Sequence, residues 1–175
     1  MSNLITVEEF NLYEKLPFDN RADIIKKIEK AIEGGQMDFQ KVAGNNLYFD
    51  IHANRNAPEF TYLMVGSNFI VDNIQYTHPG VKRVVSKFAY SRYVYDINTN
   101  HTAFGMQERI GENSQAVHYA KLKEISRQAQ VDANDMWELV ELYLKYLPED
   151  TETKNITTRP QHKDAVFGNF KYRIL

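Results

Sequence analysis

The chain has 175 residues, the size of one ordinary domain, and its 43% hydrophobic and 25% charged composition excludes a disordered or collagen-like polymer. Basic and acidic side chains number 21 and 23, leaving a formal charge of −2, which excludes a polycation that coats nucleic acid along its whole surface. The absence of cysteine removes disulfide frameworks, thiolate zinc sites and cysteine nucleophiles together.

In chain order, the first predicted element is a short helix over 6–16, with Thr6 as its cap, Glu8 and Glu9 in the first turn and Pro17 after its end. A second helix is expected over 20–33. There Ile24, Ile25, Ile28, Ala31 and Ile32 recur at helical spacing among charged residues, Asn20 stands at the start, and Gly34-Gly35 is read as the stop. From Met37 to Ile97 the period reads as two. Leu47, Phe49, Ile51 and Ala53 alternate with Tyr48, Asp50 and His52, and the short runs 37–42, 60–65, 69–76 and 81–97 are separated by turn residues. Short turns between successive strands predict an antiparallel meander of about five strands. Residues 98–111 read as a loop, 113–129 as a moderately amphipathic helix and 133–147 as a helix apolar on nearly all sides. Such a helix must be buried on nearly all sides, either at the centre of the domain or under a partner chain. The expected fold is therefore α+β, a single domain over 1–150 with an N-terminal helical pair, the sheet, two C-terminal helices and an extended C-terminal arm over 151–175.

Charge falls in blocks. Lys82, Arg83, Lys87 and Arg92 give residues 77–95 a charge of +4, residues 130–152 carry −6, and residues 153–175 carry +4. Separate blocks suit pairing with a complementary surface, although they can equally cancel within one fold. On the strand reading, Arg83, Lys87 and Arg92 could contact phosphates while Tyr93 stacks a base, but the alternation mixes charges and rings on both faces, and no glycine-aromatic signature of an RNA-binding sheet is present.

Catalytic signals are sparse. Asp50 and His52 would share one strand face, so Asp50 could orient His52 as a general base; they are the one acid–base pair the sequence suggests. Residues 105–111 contain two glycines without the Gly-Lys-Ser/Thr of a phosphate loop, and His-Glu-x-x-His is absent, so neither a cofactor nor a metal is expected. Trp137, Tyr143, Phe167, Phe170 and Tyr172 remain as candidate partner-binding residues, since Trp and Tyr are enriched at interfaces.

The opening Met-Ser-Asn-Leu-Ile-Thr-Val-Glu-Glu lacks the basic start and apolar run of a signal peptide, and no stretch approaches the roughly 20 apolar residues of a membrane span. The expectation is a cytoplasmic protein, or a virion protein if its source is viral, with no membrane partner. The leading functional expectation is a non-enzymatic assembly or interaction protein acting through protein partners or self-association. A cysteine-free, Asn- and Tyr-rich chain with such an arm suggests a small viral or bacteriophage structural protein, for example a head–tail or tail connector. The alternatives are a nucleic-acid-binding or nucleic-acid-mimicking regulator, and a hydrolase using His52 and Asp50.

Overall fold

The structure, a computed structural model of the chain, describes residues 3–16, 21–102, 105–108 and 119–147. It is built from helices: α1 (Val7–Glu14), α2 (Ala22–Ala43), α3 (Asn45–Asn54), the short α4 (Thr61–Val65), α5 (Val81–Asn98) and α6 (Tyr119–Tyr146). Two separate antiparallel ribbons complete the described part, β1 (Ser67–Val71) with β2 (Ile74–His78) and β3 (Thr99–Thr102) with β4 (Gly105–Glu108). The expected five-stranded meander is not formed, and the α+β assignment is replaced by a mostly helical fold.

The reason lies in the period of burial. Along residues 81–95 the β-branched and aromatic residues favour a strand by propensity. The fully buried apolar positions are nevertheless Val81, Val84, Val85, Phe88 and Ala89, the i, i+3, i+4, i+7 stripe of a helix. Residues 45–54 were expected to alternate, yet Tyr48 and Ile51, three apart, are the buried pair, while Phe49 is exposed. Runs 37–42 and 60–65 likewise belong to α2 and to a 3₁₀ turn leading into α4.

Gly34-Gly35 does not end α2, which runs eight residues further to Ala43. A Cβ on Gly35 would lie 2.5 Å from the backbone nitrogen of Ala89, and one on Gly34 would lie 2.6 Å from Cδ of Arg92. The glycines permit close helix crossing, and about 1 kcal/mol of lost helix propensity at each is offset by the approach of α5.

α5 is the central element, packed against α2 on one side and α6 on the other. Its edge partners in the core include Phe39 of α2 and Trp137 of α6, whose rings meet edge-to-face with centroids 5.1 Å apart. The two expected C-terminal helices are one helix through residues 130–132. Within α6 the buried residues Leu122, Ser126, Ala129, Ala133, Trp137, Val140 and Leu144 form a single stripe. Leu139, Leu142 and Tyr143 are half-buried, so α6 packs by one face rather than being enclosed.

α1 forms where expected. Thr6 accepts from Glu9 N while the Glu9 carboxylate accepts from Thr6 N, a reciprocal capping box. At the start of α2, Arg21 occupies the cap with no side-chain hydrogen bond to the helix end, and Asn20 lies outside the described residues. The arm expected over 151–175 also lies outside the described residues.

Candidate functional site

Most of the basic residues proposed for nucleic acid are paired with carboxylates of other helices. Lys82 pairs with Glu9 of α1, and Lys87 Nζ lies 2.8 Å from Glu14, whose carboxylate also accepts from Ser86 Oγ at 3.0 Å. Arg92 clasps Asp38 of α2 through Nε at 2.7 Å and Nη2 at 2.9 Å. Burial alone would raise the Asp38 carboxyl, but hydrogen bonds and charge from Arg92 and Lys41 outweigh it and hold the group below its ordinary range. Tyr93 is buried edge-on against Phe10, so it offers no stacking face. Arg83 is exposed. Three of the four cations thus fasten α5 to α1 and α2, and the stacking platform assumed for the strand is absent.

Asp50 and His52 stand two positions apart on α3. On a helix such neighbours diverge by about 200°, so the shared face required for an acid–base pair is lost. The Arg55 guanidinium instead donates to the His52 carbonyl at 2.7 Å, and Asn54 donates to the Asp50 carbonyl at 2.9 Å. Trp137 is a core residue. Its indole N–H donates to Glu141 at 2.8 Å, and burial raises the Glu141 carboxyl. Phe167, Phe170 and Tyr172 lie outside the described residues.

Tyr143 is the expected site residue that the structure places in a polar cluster. Ribbon β1–β2 turns at Asp72 and Asn73, both with positive φ, in a two-residue hairpin. The register sets Ser67 opposite His78 and Phe69 opposite Tyr76, so these four side chains share the face turned toward α6. The ribbon's base is pinned by Gly66 (φ 106°) and Gly80 (φ 83°): a Cβ on Gly80 would lie 2.5 Å from Gly66 N, and only glycine permits both the conformation and the approach.

On that face the His78 ring stacks on Tyr143 with centroids 4.1 Å apart and planes at 21°, and Phe69 meets Tyr143 edge-on at 5.5 Å. His78 is 1% exposed, its Nε2 is 3.0 Å from Ser67 Oγ, and its Nδ1 is buried without a hydrogen-bond partner. Desolvation depresses its pKa from 6.5 to about 4, so the ring is neutral near pH 7. Ser67 Oγ lies between the imidazole and the Tyr143 hydroxyl. Burial raises the Tyr143 hydroxyl, Ser67 draws it down, and neighbouring Tyr62 raises it again.

A serine nucleophile needs a base oriented by a third group, and among the described residues no carboxylate hydrogen-bonds to Nδ1 of His78. The Ser67–His78–Tyr143 cluster joins the ribbon to α6. Among the described residues no three His, Asp or Glu side chains gather to hold a metal ion, and no helix is long and apolar enough to cross a membrane.

The ribbon was hidden because 69–76 reads as one strand. Ser67 and His78 stand symmetrically about the Asp72-Asn73 turn, and recognising that turn would have paired them.

Residues 39–158 match the model of a family described as a family of unknown function (DUF6712), and the chain belongs to that family. No curated protein and no solved structure matches the chain significantly.

Proposed function

We propose that this DUF6712 member is a non-enzymatic assembly protein that self-associates through the side of the molecule carrying α4 and the β1–β2 ribbon. The observation that carries the reading is the concentration of exposed apolar side chains in one short stretch: Tyr62 is 65% exposed, Val65 56%, Ile70 70% and Ile74 57%. Single exposed apolar residues are ordinary, but four large ones within 13 positions, with Ile70 and Ile74 on opposite faces of a ribbon whose edges pair with no other described strand, fit a surface that another chain covers. The cysteine-free, tyrosine-rich composition supports placing it among small virion structural or connector proteins. Commitment of Lys82, Lys87 and Arg92 to carboxylates within the fold weighs against the nucleic-acid alternative.

Light-scattering mass across a concentration series tests this. The chain is expected to form a defined oligomer, and Ile70→Asp is expected to shift it toward monomer without loss of helical signal. A monomer at every concentration overturns self-association.

A further inference from the structure

We infer that the outward face of α6 pairs antiparallel with the same face of a second copy of this chain. The contact uses none of the ribbon residues assigned to association above and does not rest on that reading. α6 turns its buried stripe, Leu122 to Leu144, into the helical layer. On the opposite side Glu124, Arg127, Val131, Glu138 and Lys145 are all exposed and, at 100° per residue, lie within about 40° of Val131. Along the helix the charges of this stripe run minus, plus, minus, plus, with Val131 between the two halves. Turned end for end, the stripe meets itself with every sign reversed: Glu124 of each copy faces Lys145 of the other, and Arg127 faces Glu138. The midpoints of these two pairs differ by two residues, about 3 Å of helix rise, so one register serves both. Asp135, exposed on the same face, adds a second acid within reach of Arg127.

The charges of α5 show how the fold answers a charge when it uses one internally: Lys82, Lys87 and Arg92 each find a carboxylate on α1 or α2. Among the described residues Glu124, Arg127, Glu138 and Lys145 enter no ion pair, although Glu124 and Arg127 stand three apart on one helix. The stripe therefore carries both halves of a complementary set and spends neither inside the subunit. Complementary charge fixes orientation and register and suppresses the wrong arrangement, here the parallel one, in which like signs would meet. A face that complements itself on reversal is the requirement for a two-fold contact, in which each pair occurs twice. The occupant is accordingly a second copy of this chain. With Val131 as the one apolar side chain of the stripe, the contact depends on charge and is reversible by salt.

The cysteine-free chain allows a single reporter thiol. Val131→Cys is introduced into the full-length protein carrying Ile70→Asp, and the disulfide-linked dimer formed under mild oxidation is followed by non-reducing gel and intact mass. Arg127→Glu sets Glu against Glu at two symmetric points and is expected to slow the link about tenfold at low salt. Glu138→Arg sets Arg against Arg and is expected to do the same, and the two together restore the rate. Mixing the two single-reversal proteins is the sharper test: neither pairs with itself, each complements the other, and a heterodimer identified by its mass is expected to form at the rate of the native-charge protein. Near 1 M salt, where the screening length falls to about 3 Å, these differences should vanish. Equal rates for native and reversed charges, or a mixture that links no faster than its components, overturn the inference. The Ile70→Asp background keeps the two readings apart. The effect of that substitution on light-scattering mass decides the ribbon contact, and the charge rule measured in its presence decides the α6 contact.

Discussion

The α2–α5–α6 layer and the β1–β2 ribbon solve the same problem of burial in opposite ways. In the helical layer, close approach does the work. Gly35 lets α2 and α5 meet backbone to backbone, Phe39 and Trp137 close the gap to α6, and the buried-side carboxylates of Glu14 and Asp38 are each met by a cation and hydrogen bonds from α5. In the ribbon, a thin set of rings leans on α6, one imidazole nitrogen goes unpartnered, and large apolar side chains face water. The contrast teaches that two regions of one fold can be held differently: the layer by close approach and paired charge, the ribbon by a few ring contacts to α6.

Five substitutions and one change of condition sharpen that contrast, from the largest effect to the smallest. Trp137→Ala opens the layer at the Phe39 contact and removes the indole donor from the half-buried Glu141, so a loss of about 4 kcal/mol is expected in urea unfolding. A loss below about 1 kcal/mol would mean the layer is not tightly packed there. Lowering pH attacks the ribbon instead. The His78 pKa of about 4 lies below its unfolded value of 6.5, so its contribution is full above pH 6.5 and is lost as pH falls from 6.5 to 4. That window corresponds to about 3 kcal/mol. His78→Gln, which can still reach Ser67 but does not titrate, should flatten the stability profile there by a similar amount. An unchanged slope would show that His78 is not desolvated.

Gly35→Ala sets about 1 kcal/mol of helix propensity against a clash with the Ala89 backbone, which cannot yield locally. The clash should win, giving a net loss of about 2 kcal/mol in denaturant midpoint analysis. Gly34→Ala meets the flexible arm of Arg92 and should stay within about 1 kcal/mol. Equal effects at the two glycines would remove close crossing as the reason for the pair. Ile70→Asp should change the stability of the isolated subunit by no more than about 0.5 kcal/mol, since the side chain is already exposed, while lowering the associated mass.

Legibility followed the same divide. The capping box of α1 could be read from Thr6 and Glu9, because it is local chemistry. The α5 helix could not, because Val, Tyr and Phe carry strand propensity and only the three-and-four spacing of Val81, Val84, Val85 and Phe88 argued otherwise. Gly34-Gly35 reads as a stop because the tertiary partner of Gly35, Ala89 fifty-four positions away, is invisible in sequence. Of the named candidates, Tyr143 alone entered the ribbon cluster, and its partners Ser67 and His78 were missed with the hairpin turn between them. Lys82, Lys87 and Arg92 form a basic group in the sequence, where cancellation within one fold stays open, and their particular carboxylate partners on α1 and α2 are visible only in the fold.

The clasp of Gly66 on Gly80 has a consequence for how this architecture can vary. Because the chain leaves α4 and re-enters α5 at nearly the same point in space, and Phe69 and His78 hold the ribbon's root against α6, the tip beyond them is decoupled from the geometry of the helices. Its length is a free parameter: residues added in pairs at the Asp72-Asn73 tip would extend the protrusion outward by one rung each without shifting the register at Ser67 and His78. The scaffold can therefore carry a longer or shorter finger, aimed from the same fixed root.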